Sequence, residues 1–138
     1  MKKWTAIDHT ADFAYRAFGK DKAKLFKNAA KGLIHFLVEK EKAEKSSEKK
    51  KTLIFKAEDQ ETLLVDFLRE LLYLIEVEKL ILTKIISLKI KEKSLKVNLI
   101  LTKYNELKKK TDIKAITYHN IEIKHKDQYF QTDIICDV

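Results

Sequence analysis

Apolar and polar positions alternate at the start of the chain. Phe13, Tyr15 and Ala17 fall on one face of a strand expected over Phe13–Phe18, and Lys2–Ile7 can form a strand before it. Gly19-Lys20 ends the alternation and the period then lengthens. Leu25, Phe26, Ala29, Ala30, Leu33, Ile34 and Leu37 recur at spacings of three and four, the stripe of an amphipathic helix, and Asp21 stands where its side-chain oxygen can cap the first turn. A second helix is expected after Asp59, with Leu63, Leu64, Phe67, Leu68, Leu71, Leu72 and Ile75 on its stripe. Val65, Tyr73 and Leu74 lie off that stripe, so apolar side chains nearly encircle the helix, and it should be covered on more than one side. Tyr73 could equally face a partner.

Between the helices, Glu39 to Lys51 is almost all charge around Ser46-Ser47, which reads as a frayed helix end and a solvated loop before a short strand over Thr52–Ala57. Beyond the second helix, Thr83–Lys91 and Ser94–Leu101 flank Glu92-Lys93 as a hairpin, and polar Lys103–Asp112 reads as a loop. Ile113–His119, Ile121–Lys126 and Tyr129–Asp137 are then three strands, with Asn120 and Lys126-Asp127-Gln128 as turns. Helices do not alternate with strands through the second half. The expectation is therefore an α+β fold, two main helices packed on a largely antiparallel sheet, in a single domain over residues 1–138.

Composition narrows the setting. No apolar run approaches the roughly 20 residues of a membrane span, so no membrane partner is expected. Met1-Lys2-Lys3 is basic, but Asp8 and His9 follow Trp4-Thr5-Ala6-Ile7 at once, leaving no apolar core for an export signal. The single cysteine, Cys136, cannot form an internal disulfide and suits a reducing cytoplasm, and its neighbours Ile134 and Ile135 suggest a buried thiol. A net charge of +8 favours an acidic partner. Yet Arg16 and Arg69 are the only arginines among 29 basic residues, whereas planar recognition of phosphate favours the guanidinium fork; scattered lysine more often means a solvated surface.

Candidate chemistry is sparse, and much of it is excluded. His35, His119 and His125 lack zinc spacing, no serine sits in a Gly-x-Ser-x-Gly elbow, and two glycines cannot build a phosphate-cradling loop. What stands out is acid at both ends. If the first and last strands meet, Asp12, Asp137 and the terminal carboxylate of Val138 make three hard oxygen donors of the kind that Ca²⁺ or Mg²⁺ prefers. His9 and Asp12 could ligate together, or Asp12 could simply hydrogen-bond its own turn. Lys114 heads the apolar and hydroxyl-bearing run Ala115-Ile116-Thr117-Tyr118-His119, where it could meet a phosphate or merely discourage pairing at a strand edge.

Four strings, in order, change these expectations: His9-Thr10-Ala11-Asp12, the helix Leu63-Leu64-Val65-Asp66-Phe67-Leu68-Arg69-Glu70-Leu71-Leu72-Tyr73, the strand Lys114-Ala115-Ile116-Thr117-Tyr118-His119, and the end Asp137-Val138. Together they resemble the archease family over the whole chain. The resemblance implies a compact α+β fold and a non-catalytic cofactor of the GTP-dependent tRNA-splicing RNA ligase, which joins ends bearing a 2′,3′-cyclic or 3′-phosphate. It implies that the protein promotes guanylylation and multiple turnover of that ligase and broadens its nucleotide choice, meeting RNA through the ligase. It also implies a divalent ion, Ca²⁺ ahead of Mg²⁺ or Mn²⁺, held by Asp12, Asp137 and Val138, with Lys114 as the functional lysine. Phe13 and Ala14 stand where many relatives carry an aliphatic residue and glycine, and the loop before Lys114 also lacks a glycine. Two other readings compete. One is a basic RNA-binding module or tRNA chaperone using surface lysines with Tyr104 and Tyr129; the other is a metal-dependent hydrolase, which lacks a visible general base beside the carboxylates.

Overall fold

The structure, a computed structural model, describes residues 1–9 and 12–138, and for residues 40–46 the backbone alone. Its elements in chain order are β1 (Trp4–Ile7), β2 (Phe13–Gly19), α1 (Lys22–Leu37), β3 (Val38–Lys56), α2 (Gln60–Glu76), β4 (Leu80–Ile90), β5 (Ser94–Lys109), β6 (Ala115–Ile116), β7 (Lys124–His125) and β8 (Phe130–Asp137). They form two antiparallel sheets. One runs β1-β2-β8-β6, with β7 also on β8; the other runs β3-β5-β4. Both helices touch strands of both sheets and form the layer between them.

Local chemistry places the helices as expected. Asp21 accepts a hydrogen bond from the Lys24 N–H at 2.7 Å, and Asp59 accepts one from Thr62 at 2.7 Å, so each carboxylate satisfies a donor that the first turn cannot. Burial follows the stripes. Leu25, Phe26, Ala29, Ala30, Leu33 and Leu37 on α1 are fully buried; on α2 so are the off-stripe Val65 and Leu74, as a helix covered on two sides requires, while Tyr73 remains 48% exposed. One hydrophobic cluster runs from Tyr15, Ala17 and Ile134 of the first sheet through both helices to Leu95, Val97, Leu99 and Leu101 of the second. The fold is α+β, two helices packed on antiparallel sheets.

Three expectations about the strands need correction. The charged stretch Glu39–Lys51 is neither frayed helix nor loop. It belongs to β3, which leaves α1 at Val38 and pairs with β5 through Lys56, with register irregularities between Val38 and Glu48. Ladder hydrogen bonds satisfy the half of its backbone that faces β5 with Ala43 as the one apolar residue of the stretch, and an edge position suits lysine. Lys103–Asp112 is likewise not a loop, because β5 continues to Lys109. Tyr104 anchors that extension: it is 8% exposed, and its hydroxyl donates to the Ile75 carbonyl at 2.7 Å.

The third correction concerns the strands around Asn120. Of Ile113–His119 and Ile121–Lys126, only Ala115–Ile116 and Lys124–His125 pair with β8. More residues lie between Ile116 and Lys124 than between their partners Cys136 and Gln131, so the intervening chain must arch away from the sheet. Asn120, with φ 56°, turns the arch in the left-handed region that asparagine tolerates.

Candidate functional site

The geometry of the site follows from the pairing of β2 with β8. Their register sets Phe13 against Cys136, and the next residues along are Asp12 on one strand and Asp137 on the other. Phe13, Tyr15 and Ala17 point to the core with Ile134 and Cys136, so the alternation turns the flanking carboxylates the opposite way. On the other side of β8, Ala115 pairs with Asp137, and the Lys114 N–H donates to the Asp137 carbonyl at 2.8 Å. The first strand pair and the last thus bring positions 12, 114 and 137 to one corner of the sheet, with Val138 just beyond.

Electrostatics at this corner register on Cys136. Burial first, and then the charges of Asp137 and Asp12, push its thiol from 9.0 up to about 12. Both carboxylates act on one sulfur that the interior already keeps neutral. Asp12 is half-buried, with the His9 Nδ1 at 3.5 Å from its Oδ2. Asp137, Val138 and Lys114 are exposed. Among the described residues no three His, Cys, Asp or Glu side chains converge to hold a metal ion. Beside the His9 nitrogen, the donors that lie here are the oxygens of Asp12 and Asp137, whose chemistry suits a hard divalent cation. Thr10 and Ala11 of the His9–Asp12 string lie outside the described residues.

The polar side chains of α2 carry no role in the sequence reading, yet they hold the strand behind Lys114. Arg69 Nε donates to the Ile116 carbonyl at 2.8 Å, and its guanidinium lies 4.3 Å from the centre of the Tyr118 ring. The Tyr118 hydroxyl donates to Asp66 Oδ1 at 2.5 Å, and the Ile123 N–H donates to Glu61 Oε2 at 3.0 Å. These bonds tie the arch to the helix. The only available sequence signal was the placement of Glu61, Asp66 and Arg69 on the narrow polar side of a nearly apolar helix.

Other candidates resolve into structure. His35 packs on the rings of Trp4 and Phe36, and His125 stacks on Phe130 at 4.3 Å. Tyr104 is buried and Tyr129 packs edge-on against Phe18 at 5.9 Å, so neither is the exposed stacking platform that the RNA-binding reading required. Among the described residues no helix is long and apolar enough to cross a membrane.

Comparison with known proteins points one way. The sequence pattern of the Archease protein family (MTH1598/TM1083) matches residues 4–138. The chain is 32% identical to Protein archease of Methanosarcina barkeri, covering 99% of this chain and 97% of that protein. It is also 32% identical to Protein archease of Pyrococcus furiosus over the whole of both. Among solved structures, the solution structure of protein 1598 of Methanobacterium thermoautotrophicum superposes with a TM-score of 0.75 at 25% identity, covering both chains fully. The crystal structure of an archease, possible chaperone, from Thermotoga maritima gives 0.66 at 25% identity over 96% of this chain and 94% of that one.

Proposed function

The chain belongs to the archease family, and from that premise we propose that it is a non-catalytic cofactor of the GTP-dependent tRNA-splicing RNA ligase. In this reading it promotes guanylylation and multiple turnover of the ligase and broadens its nucleotide choice. The observation that carries the reading is the β2–β8 register, with Asp12 and Asp137 one step beyond the Phe13–Cys136 pair and the Lys114 N–H on the Asp137 carbonyl.

Asp12, Asp137 and the carboxyl of Val138 would hold a divalent ion of the hard class that oxygen donors suit, Ca²⁺, Mg²⁺ or Mn²⁺, with Ca²⁺ placed first by the family resemblance alone. Such an ion, when bound, would supply charge neutralisation for a transferring phosphoryl group. Asp137, Val138 and Lys114 are exposed and can present themselves to a partner's site. The Lys114 ammonium then meets a phosphate or a ligase carboxylate, while Arg69 fixes the height of β6 through the Ile116 carbonyl. The chain itself forms and breaks no bond.

The test is single-turnover guanylylation of the cognate ligase with and without this protein. The expected result is faster guanylylation that needs both a divalent ion and intact Asp12 and Asp137. A ligase indifferent to the protein would overturn the reading.

A further inference from the structure

Among the described residues nothing covers one face of the second sheet. Leu95, Val97, Leu99 and Leu101 of β5 are turned to the helices and buried, so the residues between them face away from the core. Register extends that outward face across the partners. Lys96 pairs with Ile54 and Lys89, Asn98 with Thr52 and Ser87, and Ile100 with Lys50 and Lys84. Lys50, Lys56, Lys84, Lys89 and Lys96 are all exposed, and among the described residues none makes an ion pair. Glu48 is the acid at the far end of this stretch.

We propose that this outward face of β3-β5-β4 binds the backbone of A-form RNA directly. Three features select that occupant. First, Lys89 lies directly opposite Lys96, and like charges so placed weaken a sheet, a cost that a polyanion laid across them removes. Second, the centre of the face is a row of hydrogen-bonding groups: the Thr52 hydroxyl donates to Asn98 Oδ1 at 2.6 Å, and Asn98 Nδ2 donates to the Ser87 hydroxyl at 2.8 Å. Hydroxyls and amides beside ammonium groups suit phosphate and 2′-hydroxyl oxygens. Third, among the described residues the face offers Ile54 and Ile86 as its exposed large apolar side chains, and no aromatic. Protein interfaces are depleted in lysine and anchored by aromatics and arginine, so an acidic protein fits less well.

Shape decides between duplexes. The outer strands of a three-stranded sheet stand roughly 10 Å apart before side chains are added, too broad for a B-form major groove that admits one helix or a two-stranded ribbon. The wide, shallow minor groove of A-form RNA presents phosphates and 2′-hydroxyls to a flat surface. This contact does not depend on the ligase reading, and its assay needs no ligase.

The experiment is fluorescence anisotropy of the full chain with a labelled RNA hairpin of about 20 base pairs, long enough to span two successive minor grooves, and with a B-form DNA duplex of the same sequence. Affinity for the RNA should fall steeply with salt. The triple variant Lys84→Gln, Lys89→Gln, Lys96→Gln should bind about tenfold more weakly at low salt, with a shallower salt slope. A control triple with the same loss of charge, Lys2→Gln, Lys20→Gln, Lys126→Gln, should stay within about twofold of the native chain, because those positions offer no ordered phosphate contacts. Lys96→Gln alone should weaken RNA binding while raising the thermal midpoint, since it removes the opposed charge. No RNA binding at low salt, equal loss in both triples, or equal affinity for the DNA would overturn the proposal. So would retained RNA binding in the first triple when its binding to an acidic protein is lost.

Discussion

The two sheets share one interior and carry opposite chemistry outside. The first is built of short strands, and its corner gathers Asp12, Asp137 and the Val138 end beside Lys114; its outward face also holds the Arg16–Asp133 pair, with Nε to Oδ1 at 2.7 Å. The second is built of long strands, and its outward face carries exposed lysines that make no ion pair among the described residues. A net charge of +8 therefore describes neither surface. The core requires only that inward positions be apolar, which leaves each outward face free to take its own sign. A carboxylate cluster and a lysine field on separate sheets can engage different partners without cancelling one another.

Variants can pull the two regions apart, and the largest effect is expected where the first sheet meets its helix. A Cβ at Gly19 would lie 2.2 Å from the Leu25 backbone nitrogen, inside any real contact, so β2 or the start of α1 must move. Gly19→Ala should cost about 3 kcal/mol, read by denaturant unfolding. Asp12→Ala and Asp137→Ala should behave in the opposite way. Each should leave the unfolding midpoint within about 0.5 kcal/mol of the native chain, as surface changes do, and should abolish stimulation of ligase guanylylation. Full stimulation by both variants would return the acidic corner to a structural role.

Arg69→Ala tests the support behind Lys114. Losing the bond to the Ile116 carbonyl and the stacking on Tyr118 should cost about 1 kcal/mol and weaken ligase stimulation more than this small loss would suggest. Arg69→Lys should not restore it, because an ammonium cannot both stack and donate sideways.

The smallest effect is one of pH, and it belongs to the first sheet. The Cys136 thiol stands at about 12 when folded against 9.0 ordinarily, chiefly through burial and then through the charges of Asp137 and Asp12. Burial first, then the Cys136 charge, also raises the fully buried Tyr15 well above 10.0. For both groups the unfolded chain gives up its proton first. Their contribution to stability is complete below pH 9 and declines as pH rises from there towards 12. Cys136→Val should flatten part of that decline in thermal midpoints measured across this range. An unchanged alkaline profile in the variant would show that other groups govern it.

Elements whose causes lie within a few residues were legible in the chain. Asp21 and Asp59 cap their helices through bonds to residues three positions on, and the stripes of α1 and α2 follow from a 3.6-residue period that needs no knowledge of the partner. The alternation of Phe13, Tyr15 and Ala17 marks β2 in the same way. Of the candidate site, the sequence supplied the residue types and the family resemblance. It did not supply the roles of Glu61, Asp66 and Arg69, which exist only because β6 and the arch that follows it lie against α2.

Partners remote in sequence decided the rest. Glu39–Lys51 carries the composition of a solvated loop, and only the long pairing with β5 makes it a strand, because backbone hydrogen bonds are indifferent to the side chains they run beside. The same pairing converts dispersed lysines into a single face. Asp12 and Asp137 stand at opposite ends of the chain, and the register of β2 on β8 alone makes them neighbours. By itself the sequence determined which helix positions are buried and where the helices begin, since those depend on local periodicity and local hydrogen bonds. The tertiary structure decided which charges share a surface, because that depends on strand register, and register is set by the packing of the whole core.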